Sequence, residues 1–162
     1  MKTSLRDKAR LAAASVLDPE LPVLTIADLG VLRDVEIDDD GTVVVTVTPT
    51  YSGCPATEVI RADVEAAVRT AGFDRVDVRT VLAPAWTTDW ITDRGLAALL
   101  EHGVAPPSGT RAPGAVSVAL SVRCPRCGSP DTRETSRFGS TACQALRVCS
   151  ACLEPFGHLK AI

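Results

Sequence analysis

Two CxxC motifs constrain what the C-terminal part of this chain can fold into. Cys124 and Cys127 form the first motif, Cys149 and Cys152 form the second, and 21 residues lie between them. Two residues between cysteines let a tight turn direct both sulfurs at one ion, and a second such turn completes the four-sulfur shell of structural zinc. A rubredoxin-like iron site uses similar ligands and stays an alternative.

These motifs predict a small ribbon over residues 115–162, which would scarcely fold without its metal. Its short strands are expected at 116–122, 132–138 and 145–148. The Pro- and Gly-rich residues 104–114 are read as a linker in which nothing packs. Residues 1–103 are expected to form the other domain.

Two further residues of the ribbon could bind metal. Cys143 is left over from the four-sulfur shell and is interpreted as a structural or free thiol, with a substitute or fifth ligand as the alternative. His158 has no CxxH-like spacing to a cysteine, so it is expected at the surface.

Composition narrows the class of protein. The 162 residues carry a net charge of −3 and only 4% aromatic residues, which argues against a nucleic-acid or membrane surface. The ribbon is locally basic, so nucleic-acid binding remains a weak alternative. No signal peptide or membrane-spanning run is evident, which predicts a cytoplasmic protein whose thiols stay reduced.

The first domain is expected to be α+β, with a small mixed sheet in α-β-β-α-β order. Apolar spacing predicts a helix that ends at Asp18-Pro19, and an Asp-Asp-Gly turn separates strands at 31–37 and 42–48. The second strand is apolar enough to be buried on both faces. A helix to about Ala71 and a strand at 75–81 follow, and this crossover predicts parallel pairing with the second strand.

A lone cysteine, Cys54, lies between the second strand and that helix. Free N–H groups and the helix dipole at this position predict a depressed thiol pKa and a functional thiolate. The alternative is an inert, buried thiol. Trp86 and Trp90 follow the third strand, where they would form either a wall over Cys54 or an apolar plug under a loop. A short helix is expected at 92–101.

Common catalytic motifs are missing from the sequence. It contains no Gly-rich phosphate loop, no HExxH and no Glu-x-x-His pair, and its two histidines are not placed like general bases. We therefore expect an accessory protein and no enzyme.

Four motifs resemble the MIP18 (DUF59) family over residues 5–103. They are Asp18-Pro19-Glu20-Leu21-Pro22, Ile26-x-Asp28-Leu29-Gly30, Thr48-Pro49-Thr50-x-x-Gly53-Cys54-Pro55 and Pro84-x-Trp86-Thr87-Thr88-Asp89-Trp90-Ile91. With the ribbon and Phe138-Gly139-Ser140-Thr141-Ala142-Cys143, the whole chain is similar to a family of accessory subunits of bacterial phenylacetyl-CoA epoxidase systems.

The resemblance implies a role in iron–sulfur cluster or metal-centre maturation during phenylacetate degradation. Cys54 would be the thiol that transiently binds iron or a cluster, and the ribbon cysteines would hold zinc. The oxygenase and reductase subunits would be the partners, and a homodimer is a further candidate assembly. A scaffold that bridges those subunits, with an inert Cys54, is the alternative. The pocket candidates are Asp28, Thr50, Trp86, Thr87, Asp89 and Trp90, and the family pattern includes Cys143.

Overall fold

The computed structural model describes residues 2–108 and 121–162, with side chains from Ser4 onward. The chain divides into two compact units. Met1–Trp86 and Trp90–Thr92 form the first, and Thr87–Asp89 and Asp93–Ile162 form the second. Within the described residues, no helix has both the length and the apolar character needed to cross a bilayer.

The first unit has the predicted α-β-β-α-β order and mixed sheet. Its elements are α1 (Lys2–Ala14), β1 (Leu32–Ile37), β2 (Val43–Val47), α2 (Ala56–Thr70) and β3 (Val76–Thr80). The strand order is β1-β2-β3, with β1 antiparallel and β3 parallel to β2. Helix α1 packs on β1 and α2, and α2 packs on β3. The α+β fold class and the parallel crossover are confirmed.

Strand β2 forms the centre of this unit. Its four valines are at most 5% exposed although they alternate between the two faces of the sheet. Such burial on both faces explains the nearly continuous valine run. In β1 the register shifts between Leu32 and Asp34, at the point where Arg33 interrupts the apolar pattern.

Helix α1 ends at Ala14, four residues before the predicted end at Asp18-Pro19. The backbone becomes extended there, because it forms two long-range hydrogen bonds. The Ile26 N–H donates to the Val16 carbonyl (2.9 Å), and the Asp18 N–H donates to the Leu24 carbonyl (2.9 Å). Long-range pairing thus replaces the last helical turn, which the apolar spacing alone could not indicate.

The second unit is built around a four-stranded sheet. Its elements are α3 (Asp93–Glu101), β4 (Val104–Ala105), β5 (Thr132–Ser136), β6 (Gln144–Cys149) and β7 (Pro155–Leu159). The order is β4-β7-β6-β5, with β4 parallel to β7 and the other pairs antiparallel. Helix α3 packs against β4. A 3₁₀ turn, Thr88–Trp90, precedes α3.

Two predictions about this unit need correction. Val104 and Ala105 were expected in an unpacked linker, yet they pair with β7, and Ala105 is 1% exposed. Strand β7 was not predicted at all, since its proline and glycine are unusual inside a sheet. The predicted strand at 116–122 and most of the predicted linker lie outside the described residues, and the domain boundaries stay a prediction.

Candidate functional site: a thiol beside two carboxylates and a four-cysteine cluster

Cys54 lies in the turn that joins β2 to α2. Its N–H donates to the Tyr51 carbonyl (3.1 Å), and its own carbonyl accepts from the N–H (3.2 Å) and Oγ1 (2.9 Å) of Thr57. Pro55 occupies the N-cap position without a side-chain cap. The Cys54 thiol is half-buried, and the residue lies two positions before α2 begins.

The pKa of the Cys54 thiol is raised above its usual value, so the predicted depression is wrong. Burial is the largest cause, and the charges of Glu20 and Asp18 raise the pKa further. The Ala56 N–H and the Thr50 side chain hydrogen-bond to the sulfur and lower the pKa, but they do not outweigh burial. Thr50 thus lies beside Cys54, and its membership of a pocket stays a prediction.

Asp18 and Glu20 are site residues that the sequence analysis missed. Asp18 is 5% exposed, and its Oδ1 accepts the N–H groups of Glu20 (2.9 Å) and Leu21 (2.7 Å). Burial raises the pKa of Asp18, and burial together with the Asp18 charge raises that of Glu20. The sequence signal that could have found them was the Asp18-Pro19-Glu20 motif.

Asp28 joins two distant segments of the first unit. Its Oδ2 accepts from Thr25 Oγ1 (2.9 Å) and its Oδ1 from Thr92 Oγ1 (3.0 Å). Its carbonyl also accepts the Thr92 N–H (2.9 Å). These bonds give Asp28 a positioning role within the fold, because they hold residue 92 against the loop that precedes β1. Its membership of a pocket stays a prediction.

The two tryptophans also contact that loop. Trp86 is 3% exposed, and its indole N–H donates to the Leu29 carbonyl (2.9 Å). Trp90 is half-buried under the Arg33 guanidinium, which lies 3.5 Å from the ring centre. Thr87 and Asp89 belong to the second unit, where the Asp89 N–H donates to Thr87 Oγ1 (3.2 Å). That these residues surround Cys54 remains a prediction.

The two CxxC motifs bring their four sulfurs together. The sulfurs all lie within 4.8 Å of one another, with 3.7 Å between Cys124 and Cys152 and 3.6 Å between Cys127 and Cys149. A tetrahedral ion with metal–sulfur bonds of about 2.3 Å places its ligands about 3.8 Å apart. The cluster therefore fits one tetrahedral metal ion.

Backbone N–H groups favour the thiolate form of one of these sulfurs, that of Cys149. The Cys152 N–H, and to a lesser extent that of Ala151, lower the pKa of Cys149 to about 7. At Cys152 the Glu154 N–H lowers the pKa, but desolvation and the neighbouring sulfurs together outweigh it and raise the pKa to about 12. Metal binding at this cluster must therefore displace protons.

The structure excludes the alternative role for Cys143 and corrects the prediction for His158. Cys143 precedes β6 and Cys149 ends it, so roughly 20 Å of strand separates the two residues. Cys143 therefore cannot be a fifth ligand of the cluster. His158 is only 9% exposed, so the prediction of a surface histidine is wrong. Cross-strand pairing with Ala145 buries it, which spacing to cysteines could not reveal.

Comparison with known proteins covers nearly the whole chain. Residues 6–80 match an "Iron-sulfur cluster assembly protein" family, and residues 109–160 match the "PaaD zinc beta ribbon domain" family. A protein of Escherichia coli K12, named as a subunit of 1,2-phenylacetyl-CoA epoxidase, is 48% identical over 149 residues, which are 92% of this chain and 88% of that protein. This chain belongs to the PaaD family.

Relatives outside the PaaD family match a little over half of the chain. An "Fe-S protein maturation auxiliary factor" of Porphyromonas gingivalis is 37% identical over 55% of this chain and 82% of that protein. The crystal structure of a DUF59 domain from Bacillus anthracis superposes with a TM-score of 0.57 at 29% identity, over 60% of this chain and 93% of that domain. The resemblance predicted from the motifs is confirmed.

Proposed function

We propose that this protein is an accessory maturation factor of a bacterial phenylacetyl-CoA epoxidase system. In this proposal Cys54 receives iron or an iron–sulfur cluster and passes it to a metal-containing oxygenase or reductase subunit in the cytoplasm. The relatives named as an epoxidase subunit and as Fe–S maturation factors support this role. They also support a role without catalysis of its own.

The observation that carries the proposal is the negative field around the Cys54 thiol. The thiol is half-buried and lies within the electrostatic influence of Asp18 and Glu20, so a soft ligand for iron stands where negative charge attracts an incoming cation. Those negative charges oppose formation of a thiolate in the empty site. A cation would reverse this effect, because it stabilises the thiolate and both carboxylates at once.

The raised thiol pKa therefore suits a carrier that must also release its cargo. In the empty site the thiol holds its proton, and binding of the metal displaces it. The reverse step, protonation of Cys54, would help the cargo to leave. We expect loading to strengthen as the pH rises towards the thiol pKa.

We further propose that the ion of the four-cysteine cluster is zinc. A shell of four cysteine sulfurs in a tetrahedral arrangement is typical of structural zinc sites. Its role would be to hold the second sheet together, because few of the described residues around the metal are buried apolar side chains. The small core beside the cluster consists of Ala105, Cys124, Cys149 and Phe156, and Val122 packs against it.

A second candidate function is a structural subunit that bridges the oxygenase and the reductase. The raised pKa of Cys54 favours this alternative, because a protonated, half-buried thiol is a poor nucleophile. In that case Cys54 would only fill space between β2 and α2. Epoxidase activity would then depend on the presence of the protein and not on the Cys54 sulfur.

Replacement of Cys54 by serine in cells that use phenylacetate separates the two functions. We expect Cys54→Ser to abolish epoxidase activity and to lower the iron content of the purified oxygenase and reductase subunits. Ser52→Ala, an exposed change in the same turn, is the matched control. Zinc content and circular dichroism of both variants verify the fold.

Normal client iron and activity with Cys54→Ser, together with loss of activity on deletion of the gene, would refute the carrier role and favour the scaffold. Growth on phenylacetate that survives the deletion would refute both roles.

A further inference from the structure

His158 presents a buried nitrogen without a partner. Its Nε2 is shielded from solvent and has no hydrogen-bond partner among the described residues. On the sheet, His158 pairs with Ala145 of β6 on one side and Ala105 of β4 on the other, and neither methyl group can bond to the ring. Buried polar atoms are nearly always paired, so this nitrogen calls for an explanation.

A thiol lies on the same face of the sheet. The pairs Gln144–Leu159 and Ala145–His158 continue to Cys143 and Lys160, where the Lys160 N–H donates to the Cys143 carbonyl (2.9 Å). Cys143 and His158 are therefore diagonal neighbours across β6 and β7, about 7–8 Å apart, a spacing that the aromatic ring of His158 can bridge towards the thiol. Cys143 is 4% exposed, so both groups are buried.

The surroundings of His158 keep its ring in the neutral state that binds metal. Burial lowers the pKa of His158, as do the charges of Arg147 and Lys160, while Glu134 opposes them. The imidazole is therefore neutral, with a lone pair free to coordinate. Thr141 Oγ1 lies 3.0 Å from the Cys143 sulfur, where its hydroxyl can donate to a thiolate.

The charged neighbours do not prevent a cation from binding. Arg147 faces Glu134 at 3.8 Å and donates to Thr132. The Lys160 ammonium is engaged by the Arg137 carbonyl (3.1 Å) and lies 4.6 Å from the centre of the Phe138 ring. The positive charges on this face are thus partly neutralised or directed elsewhere.

We propose that Cys143 and His158 form a second metal site, distinct from the four-cysteine cluster, which binds one thiophilic divalent ion such as Zn²⁺ or Co²⁺. A thiolate sulfur and an imidazole nitrogen are the ligands that such ions prefer. Two protein donors leave two tetrahedral positions for water or for a ligand from outside the chain. The site is therefore weaker than the cluster and exchanges its metal more readily.

Cobalt titration of the zinc-loaded full chain tests this site. In a Cys54→Ser background, which removes the other candidate thiol, we expect one Co²⁺ per chain to be retained, with a near-ultraviolet sulfur-to-cobalt absorption band and no loss of zinc. Cys143→Ser and His158→Gln should each weaken Co²⁺ binding by about tenfold or more. His102→Gln, which changes the only other histidine, should leave the affinity unchanged.

A measurement on the unaltered chain tests the site even if one of these variants fails to fold. Added Zn²⁺ should slow alkylation of Cys143 in the unaltered chain, as quantified by mass spectrometry of the modified peptide. Absence of retained cobalt in the Cys54→Ser protein would overturn the proposal. A cobalt band that survives Cys143→Ser, or a Cys143 alkylation rate indifferent to Zn²⁺, would overturn it as well.

Discussion

A Cβ atom added to Gly30 would lie 2.5 Å from the Cβ of Trp90 and 2.6 Å from its carbonyl oxygen. Gly30 also has a φ of +77°, a conformation that side chains other than glycine rarely adopt. The glycine of the Asp-Leu-Gly motif is therefore required both by its backbone and by the tryptophan that packs on it. The loop before β1 and the segment around Trp90 form one packed structure.

Substitution of Gly30 should consequently be costly. We expect Gly30→Ala to lower the free energy of unfolding by about 2–4 kcal/mol, the sum of the backbone cost and the clash with Trp90. Gly41→Ala is the matched control, because Gly41 has a similar φ of +85° but only the end of the Arg75 side chain nearby. It should cost about 1–2 kcal/mol. Urea unfolding followed by tryptophan fluorescence measures both, and equal losses would contradict the contact.

The carboxylates near Cys54 should slow its reaction with electrophiles. Because the raised pKa leaves little thiolate at pH 7, alkylation of Cys54 by iodoacetamide should be slower than that of a free cysteine peptide. Glu20→Gln removes one negative charge, lowers the thiol pKa and should speed the reaction several-fold at pH 7. Rates against pH, measured by mass spectrometry, give the pKa directly. Glu58→Gln, on the first turn of α2, is the control, and an equal gain there would refute the role of Glu20.

Removal of the cluster metal should unfold the second sheet. Structural zinc sites contribute on the order of 10 kcal/mol to folding, more than such a small ribbon can replace. A chelator should therefore release one zinc per chain, seen with a colorimetric indicator, together with a loss of β-sheet signal in circular dichroism. Cys127→Ser should show the same loss without chelator, whereas Ser150→Ala between the second pair of ligands should not. Retention of the sheet signal after zinc release would contradict a structural role.

Stability should fall in mild acid because of His158. Burial holds its pKa below 6.5 in the folded state, so the unfolded chain takes up a proton first as the pH falls. The stability that the neutral imidazole contributes is thus present above about pH 6.5 and is lost below it. We expect His158→Gln to remove up to about 1.4 kcal/mol per pH unit from the slope of the unfolding free energy between pH 7 and pH 5. Urea midpoints measure this slope, and His102→Gln should not change it; an unchanged slope in His158→Gln would refute the prediction.

The sequence predicted those features that depend on local pattern. The valine run of β2 marks a strand buried on both faces, and the strand–helix–strand order requires parallel pairing with β3. The spacing within each CxxC motif suffices to converge its sulfurs. Each of these inferences needs only residues that are close together in the chain.

The features that the sequence did not predict depend on distant residues. Helix-end reasoning gave a low pKa for Cys54, but burial raises it, and so do two carboxylates that lie 34 and 36 residues earlier in the chain. The burial of His158 follows from alanines on two neighbouring strands. Neither relationship leaves a periodic signal, since each arises from long-range strand pairing or loop packing.

The order of the second sheet has a consequence for synthesis of the chain. Strand β7 is the last of its strands in sequence, yet it lies inside the sheet, between β4 and β6. Until residues 155–159 have left the ribosome, Val104–Ala105 has no strand to pair with, and β6 pairs on one side alone. The four cysteines are therefore all synthesised before the sheet that frames them can close, so completion of the ribbon has to wait for β7.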